Sequence, residues 1–196
     1  MRLIRPQYKS ISDEELMIAV SKGDKRAFDE IYARYSGPLL GYFIRMLWKD
    51  REKGEDFVHD IFAKIIRKPE LFDPTRKFKT WVYSVANNMC KNEYKKQEVR
   101  KNTSNGLDTH YAVSDVNANV LSEVQDSLFR DEFEQSLEDL DEKHSGVFKL
   151  RHIEGLSIKE ISEVLEISDG TVKSRLFYAT KYLAASLSDF NPVINR

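Results

Sequence analysis

The chain of 196 residues is 41% hydrophobic and 11% aromatic, enough to bury the core of one medium domain or two small ones, which excludes a disordered polymer. Its formal net charge of -1 supplies no global field toward nucleic acid or an anionic membrane, so any such contact must come from local patches. The single cysteine, Cys90, excludes an internal disulfide and a zinc ribbon; His59, His110, His144 and His152 are scattered, and no run approaches the ~20 apolar residues that span a bilayer. A cytoplasmic protein with no metal, no cofactor and no membrane insertion is the expectation.

Ser12-Asp13-Glu14-Glu15 reads as a capping box, opening a short helix that ends near Gly23. From residue 27 to residue 48, Phe28, Ile31, Tyr32, Tyr35, Leu39, Tyr42, Phe43, Met46 and Leu47 recur at three- and four-residue steps, with a break or kink expected at Gly37-Pro38. A third helix is predicted over residues 53–67, with Phe57, Ile61, Phe62, Ile65 and Ile66 inward and Glu55, Asp56, Asp60 and Lys64 outside. After Pro69 the spacing predicts a loop through Leu71, Phe72, Asp73, Pro74, Thr75, Arg76 and Lys77. A fourth helix then covers residues 78–97, its stripe being Trp81, Val82, Val85, Ala86 and Met89.

Between about residues 100 and 120 periodicity lapses and Asn, Ser, Thr, Asp and Gly dominate, the mark of a linker. Helical spacing resumes through Phe129, Phe133, Leu137 and Leu140, then Val147, Leu150 and Ile153. Ser157-Ile158-Lys159-Glu160 is a second capping box, whose helix has Ile158, Ile161 and Leu165 as its apolar face. Ser168 or Asp169 then caps a last helix from Thr171, with Val172, Leu176, Ala179 and Leu183 inward. No alternating strand pattern occurs, so the prediction is an all-α chain of two small helical domains joined by a linker.

Two short helices joined by a tight turn form the helix-turn-helix unit, whose second helix enters the major groove of DNA. Here that helix offers Thr171 at its start, Lys173, Ser174, Phe177, Tyr178 and Lys181 on its outer face, and Arg175 at the flank. Cations bridge guanine edges or phosphates, while serine and aromatic groups touch base edges or the thymine methyl. A plain helical hairpin with a solvated basic face has the same spacing. Charge is unevenly spread: residues 91–101 are net basic, whereas residues 108–142 are almost wholly acidic among their charged members.

Ala27-Phe28-Asp29-Glu30-Ile31-Tyr32-Ala33-Arg34-Tyr35, Gly54-Glu55-Asp56-Phe57-Val58-His59-Asp60-Ile61-Phe62 and Phe78-Lys79-Thr80-Trp81-Val82-Tyr83-Ser84-Val85-Ala86-Asn87-Asn88 resemble successive blocks of region two of the extracytoplasmic-function sigma factors. Gly155-Leu156-Ser157-Ile158-Lys159-Glu160-Ile161 and Gly170-Thr171-Val172-Lys173-Ser174-Arg175-Leu176 resemble their region four. The resemblance implies a region-two domain over residues 1–98, a linker over 99–125 and a region-four domain over 126–196. Glu55, Asp56 and Asp60 then match the face that docks on a coiled coil of the largest subunit of core RNA polymerase; a solvated acidic face is the alternative. Phe72, Arg76, Lys77 and Lys79 match the melting region, while Asn88, Lys91, Asn92, Lys95 and Lys96 occupy the stretch that meets the minus-ten element. Trp81 and Phe78, spaced with Val82 and Val85, are expected in the core rather than against bases. The outer face of the last helix matches the reader of the minus-thirty-five element.

The partners implied are core polymerase, including the flap of its second-largest subunit, promoter DNA as duplex and as single strand, and an anti-sigma factor. Many members carry aspartate where Asn92 stands and arginine where Lys95 stands; the change removes a negative charge and arginine's bidentate fork, and so bears on the preferred sequence. Two other readings stay open on the residues alone. An ordinary helix-turn-helix regulator would bind duplex DNA without polymerase. A helical enzyme would need a glycine-rich phosphate loop, metal-ligand spacing or a nucleophile with its base, and none is present in the sequence, so no catalytic residue is assigned.

Overall fold

The capping box at Ser12 and Glu15 opens the first helix, α1 (Asp13–Ser21), of a computed structural model that describes residues 8–103 and 122–188. Ser12 Oγ accepts from the Glu15 N–H at 3.3 Å, and the Ser12 N–H donates back to the Glu15 carboxylate at 3.2 Å. Gly23, at φ +87°, turns the chain where a side chain would be strained, and Asp24 caps α2 (Lys25–Met46) by accepting from the Arg26 and Ala27 N–H groups. Asp24 also accepts from the Tyr8 hydroxyl at 2.8 Å, which holds its carboxyl below the ordinary range.

Arg34, half-buried on α2, gathers the chain ahead of α1. It donates to Glu30 at 2.9 Å, to Asp13 at 2.6 Å, and to the carbonyls of Tyr8, Lys9 and Ile11 at 2.9–3.1 Å. The Tyr35 hydroxyl donates to the other oxygen of Asp13, and burial with that carboxylate raises the phenol's pKa far above its usual value.

Helix α2 does not break at Gly37-Pro38. Proline withholds one N–H from the carbonyl of Arg34 at a cost of about 3 kcal/mol, but Ile31, Tyr35, Leu39, Tyr42 and Phe43 are buried on both sides of it. Packing on neighbouring helices outweighs the missing bond. Asp50 then caps α3 (Arg51–Arg67), whose first turns run close to α2: a Cβ on Gly54 would stand 3.3 Å from Leu40 Cδ1 and 3.4 Å from Ile44 Cγ1. The last helix of this group, α4 (Phe78–Thr103), continues past the expected end at residue 97.

The inward stripes of α3 and α4 differ from those expected. On α3 Val58 is buried and Ile66 is exposed; on α4 the buried line is Phe78, Val82, Tyr83, Ala86 and Cys90, with Trp81, Val85 and Met89 only half-buried. The reason is shared. Adjacent apolar residues lie about 100° apart, so both can sit on the wide apolar stripe, and only the neighbouring helices decide which is covered.

The remaining helices are α5 (Ser122–Asp139), α6 (Glu142–His152), α7 (Ile158–Leu165) and α8 (Asp169–Ser186). The chain divides into two compact units, Met1–Tyr111 holding α1–α4 and Ala112–Arg196 holding α5–α8. The expected linker, residues 99–125, is helical at both margins, up to Thr103 and from Ser122; its middle lies outside the described residues. The second unit buries Leu137, Val147, Leu150, Leu156, Ile161, Val164, Val172, Ala179 and Leu183. Here Val164 faces inward and Leu165 is half-buried, again a choice between adjacent residues of one stripe. Among the described residues there are eight α-helices and no strand, and no helix is long and apolar enough to cross a membrane.

One buried group is out of balance: Thr80, 4% exposed on α4, has a hydroxyl with no hydrogen-bond partner among the described residues. An unpaired buried hydroxyl costs about 1–3 kcal/mol, and valine has nearly the same shape. Thr80→Val is therefore expected to stabilise the first unit by about 1 kcal/mol, raising its thermal midpoint by a few degrees; a lower midpoint would mean that the hydroxyl is paired.

Candidate nucleic-acid and polymerase interfaces

Three faces of the first unit carry the residues singled out by sequence. On α3, Asp56 and Asp60 are exposed one turn apart, with no ion-pair partner among the described residues. Glu55 is different, because Arg51 donates to it at 2.9 Å across one turn and partly neutralises it. The acidic character offered to a partner thus rests on Asp56 and Asp60.

Between α3 and α4 the short turn Pro69–Leu71 leads into a loop built by its own residues. Asp73 accepts from the Thr75 N–H at 2.9 Å and its hydroxyl at 2.8 Å, bonds that hold the Asp73 carboxyl below its usual range. The Arg76 N–H donates to the Asp73 carbonyl, and the Arg76 and Lys77 side chains stand exposed, with Lys79 half-buried. Phe72 departs from expectation. It is 3% exposed, with its ring 5.3 Å from Phe78 and 5.5 Å from Trp81, so it anchors the loop in the core and offers no face to a base. Trp81 is the half-buried member of that cluster.

The outer face of α4 brings together Asn88, Asn92, Lys95 and Lys96, all exposed at steps of three and four, with Lys91 half-buried beside them. The amides offer donors and acceptors, and the lysines supply charge for a phosphate backbone.

Sequence reading missed what holds this face in place. Glu93, only 5% exposed, pairs with Lys53 of α3 at 2.5 Å, and this bond holds its carboxyl below its ordinary value despite burial. The Tyr94 hydroxyl donates to the Met46 carbonyl at the end of α2, and Trp48, at φ +52°, rests edge-on against Tyr94 at 5.0 Å. A signal was available: Glu93 falls three and seven residues beyond Cys90 and Ala86, on the buried stripe, where a carboxylate requires a cation.

In the second unit both capping motifs are present. Ser157 accepts from the Glu160 N–H at 3.2 Å and its own N–H donates to the Glu160 carboxylate at 2.8 Å. Helix α7 stops at Glu166, a non-glycine residue at φ +58°, and the Ser162 hydroxyl donates to the Ile167 carbonyl at 2.5 Å. Ser168, rather than Asp169, then caps α8 by accepting from the Thr171 N–H at 3.1 Å.

On α8, Lys173, Ser174, Phe177, Tyr178 and Lys181 share one exposed face, with Arg175 and Thr171 half-buried at its edge. Phe177 is 63% and Tyr178 58% exposed, their rings 5.6 Å apart and nearly perpendicular. Two adjacent rings left this far in water form an apolar contact surface between lysines. The Ser174 hydroxyl donates to the Thr171 carbonyl, so it meets a partner chiefly as an acceptor. Among the described residues no group of three or more His, Cys, Asp and Glu is placed to hold a metal ion.

Comparison with known proteins follows the same division. Residues 31–100 match the model described as Sigma-70 region 2, and residues 130–183 match that of Sigma-70, region 4. The RNA polymerase sigma-H factor of Pseudomonas aeruginosa is 30% identical over 181 residues, covering 89% of this chain and 93% of its own length. The ECF RNA polymerase sigma-E factor of Escherichia coli is 29% identical over 180 residues, with 87% and 92% covered. Among solved structures, the sigma factor RpoE of Bartonella quintana, in complex with the anti-sigma factor NepR, has the same fold at 20% identity, with a TM-score of 0.68 over 82% of this chain and 96% of that one.

The Lys53–Glu93 pair gives a pH test. Because Glu93 is held below its ordinary 4.5, the stability it contributes is present above that pH and is lost as pH falls through its folded value. Lys53→Met leaves the buried carboxylate without its ion-pair partner and is expected to cost about 2 kcal/mol near neutrality. The gap from wild type should narrow as pH falls below 4.5 and Glu93 protonates; thermal unfolding at stepped pH measures it, and a constant gap would rule out this pairing.

Proposed function

The chain belongs to the RNA polymerase sigma factors of the extracytoplasmic-function type, and from that premise we propose how its faces divide the work of directing core RNA polymerase to promoters. Asp56 and Asp60 of α3 dock on the coiled coil of the largest subunit, where arginine partners would find two carboxylates one turn apart. Arg76 and Lys77 of the loop and Lys79 of α4 hold the backbone of the displaced strand. Asn88, Lys91, Asn92, Lys95 and Lys96 read the minus-ten element. Domain boundaries at residues 1–98 and 126–196, with a connector between, belong to the same reading.

The single observation that carries the proposal is the outer face of α8, where Phe177 and Tyr178 stand exposed between Lys173 and Lys181. An isolated protein gains nothing by leaving two rings in water, but the major groove offers thymine methyls to apolar groups and phosphates to lysines. That face is assigned to the minus-thirty-five element, and the flap of the second-largest subunit is the remaining polymerase contact. The bond-making chemistry is the polymerase's own. An inhibitory protein partner, like the one seen on the Bartonella quintana neighbour, and a cytoplasmic setting complete the proposal.

Run-off transcription with purified core polymerase on a genomic fragment library tests the whole: defined transcripts that require this chain are expected. Duplex binding in the absence of polymerase, with no stimulated transcript, would favour an ordinary regulator instead. Within active holoenzyme, Asp56→Asn with Asp60→Asn should weaken core binding about tenfold at low salt, with a smaller effect at high salt. On the selected promoter, Lys173→Ala should lower the salt slope of binding by about 1 with little change of preference, whereas Phe177→Ala should relax preference at one base position and leave the slope intact.

A further inference from the structure

Helix α4 begins without an accepting side chain at its N-cap position. Lys77 stands there, its carbonyl accepting from the Trp81 N–H at 3.1 Å, and an ammonium group has no lone pair to offer the N–H groups of the first turn. The acceptor comes from a residue 64 positions earlier: Glu14 of α1 takes the Phe78 N–H on Oε1 at 3.0 Å. Helix α1 is itself immobilised by Leu16 and Met17 in the core and by Asp13, which binds both Arg34 and Tyr35 of α2. The Tyr35 ring meets the Phe78 ring edge-on at 5.0 Å. Phe78 fixes how deep the helix start sits, and Glu14 fixes its backbone direction.

The loop ahead of α4 is therefore held at three points: Phe72 in the core, the turn closed by Asp73, and the Glu14 carboxylate at its end. We propose that Glu14 is a positioning residue for promoter opening, setting the backbone from which Arg76, Lys77, Lys79 and Trp81 project toward the unpaired strand. It touches no DNA. This assignment rests on the sigma-factor reading above and adds to it a residue remote in sequence from the strand-contacting stretch. An amino-terminal helix that only filled the core would need apolar residues alone; the carboxylate on the Phe78 N–H ties it to the geometry of the loop.

The test uses holoenzyme assembled from the full chain and core polymerase. Wild-type holoenzyme first selects single strands from a random oligonucleotide pool, and the selected strand, labelled, is the probe. Glu14→Ala is expected to hold the probe at least about fivefold more weakly, the scale of a lost helix cap, and to open the matching duplex promoter correspondingly more slowly. Its affinity for core polymerase should equal that of wild type. Glu14→Gln, which keeps an accepting oxygen without the charge, should stay within about twofold, whereas Glu14→Asp, one methylene short of the Phe78 N–H, should fall with the alanine variant even if the latter folds poorly. Probe affinity unchanged in both Glu14→Ala and Glu14→Asp overturns the assignment, as does a loss of core affinity in step with the loss of strand affinity. A wild-type holoenzyme that retains no strand removes the sigma-factor reading and this assignment with it, and the wild-type control tells that failure apart.

Discussion

Helix α4 has to do two things with one circumference. Its inner stripe, from Phe78 through Val82, Tyr83, Ala86 and Cys90, is buried against the other three helices, while Asn88, Asn92, Lys95 and Lys96 stay in water on the opposite side. A helix keeps these stripes apart only while it neither rotates nor slides. Apolar packing chooses the buried line, and directional polar bonds add to it. Three polar attachments run along α4: Glu14 at the first turn, Glu93 on Lys53, and Tyr94 on the Met46 carbonyl. Each is directional, and together they join α4 to α1, α3 and α2 in turn.

The second unit reaches a comparable result by local means. Capping serines at Ser157 and Ser168 and the left-handed turn at Glu166 set the two short helices, and the buried line Val172, Ala179 and Leu183 sets which side of α8 faces out. Packing of α8 on α6 completes the arrangement. The first unit has a loop and a long helix to hold in place. Its constraints accordingly span up to 64 positions in sequence.

Charge follows the same logic of placement over amount. A net charge of -1 conceals an acidic pair on α3 and a lysine row on α4. At physiological salt exposed charges act over about 8 Å, so separate patches can serve separate partners on one small domain. Where opposite charges meet between α3 and α4, at Lys53 and Glu93, the pair is mostly withdrawn from water.

The sequence alone determined the helices, their caps and the residue types on each outer face, because these depend on neighbours within one or two turns: the serines of both capping boxes, the lysine and aromatic face of α8 and the acidic pair on α3 were all legible. Which member of an adjacent apolar pair is covered was not, as Val58 against Phe57, Ile65 against Ile66 and Val164 against Leu165 show; nor was the continuity of α2 through Pro38 or the burial of Phe72. Those outcomes turn on a second helix that periodicity cannot locate. The same holds for Glu14 and Arg34, whose partners lie far along the chain: a polar side chain announces that it needs a partner, and only tertiary packing decides which one comes within 3 Å.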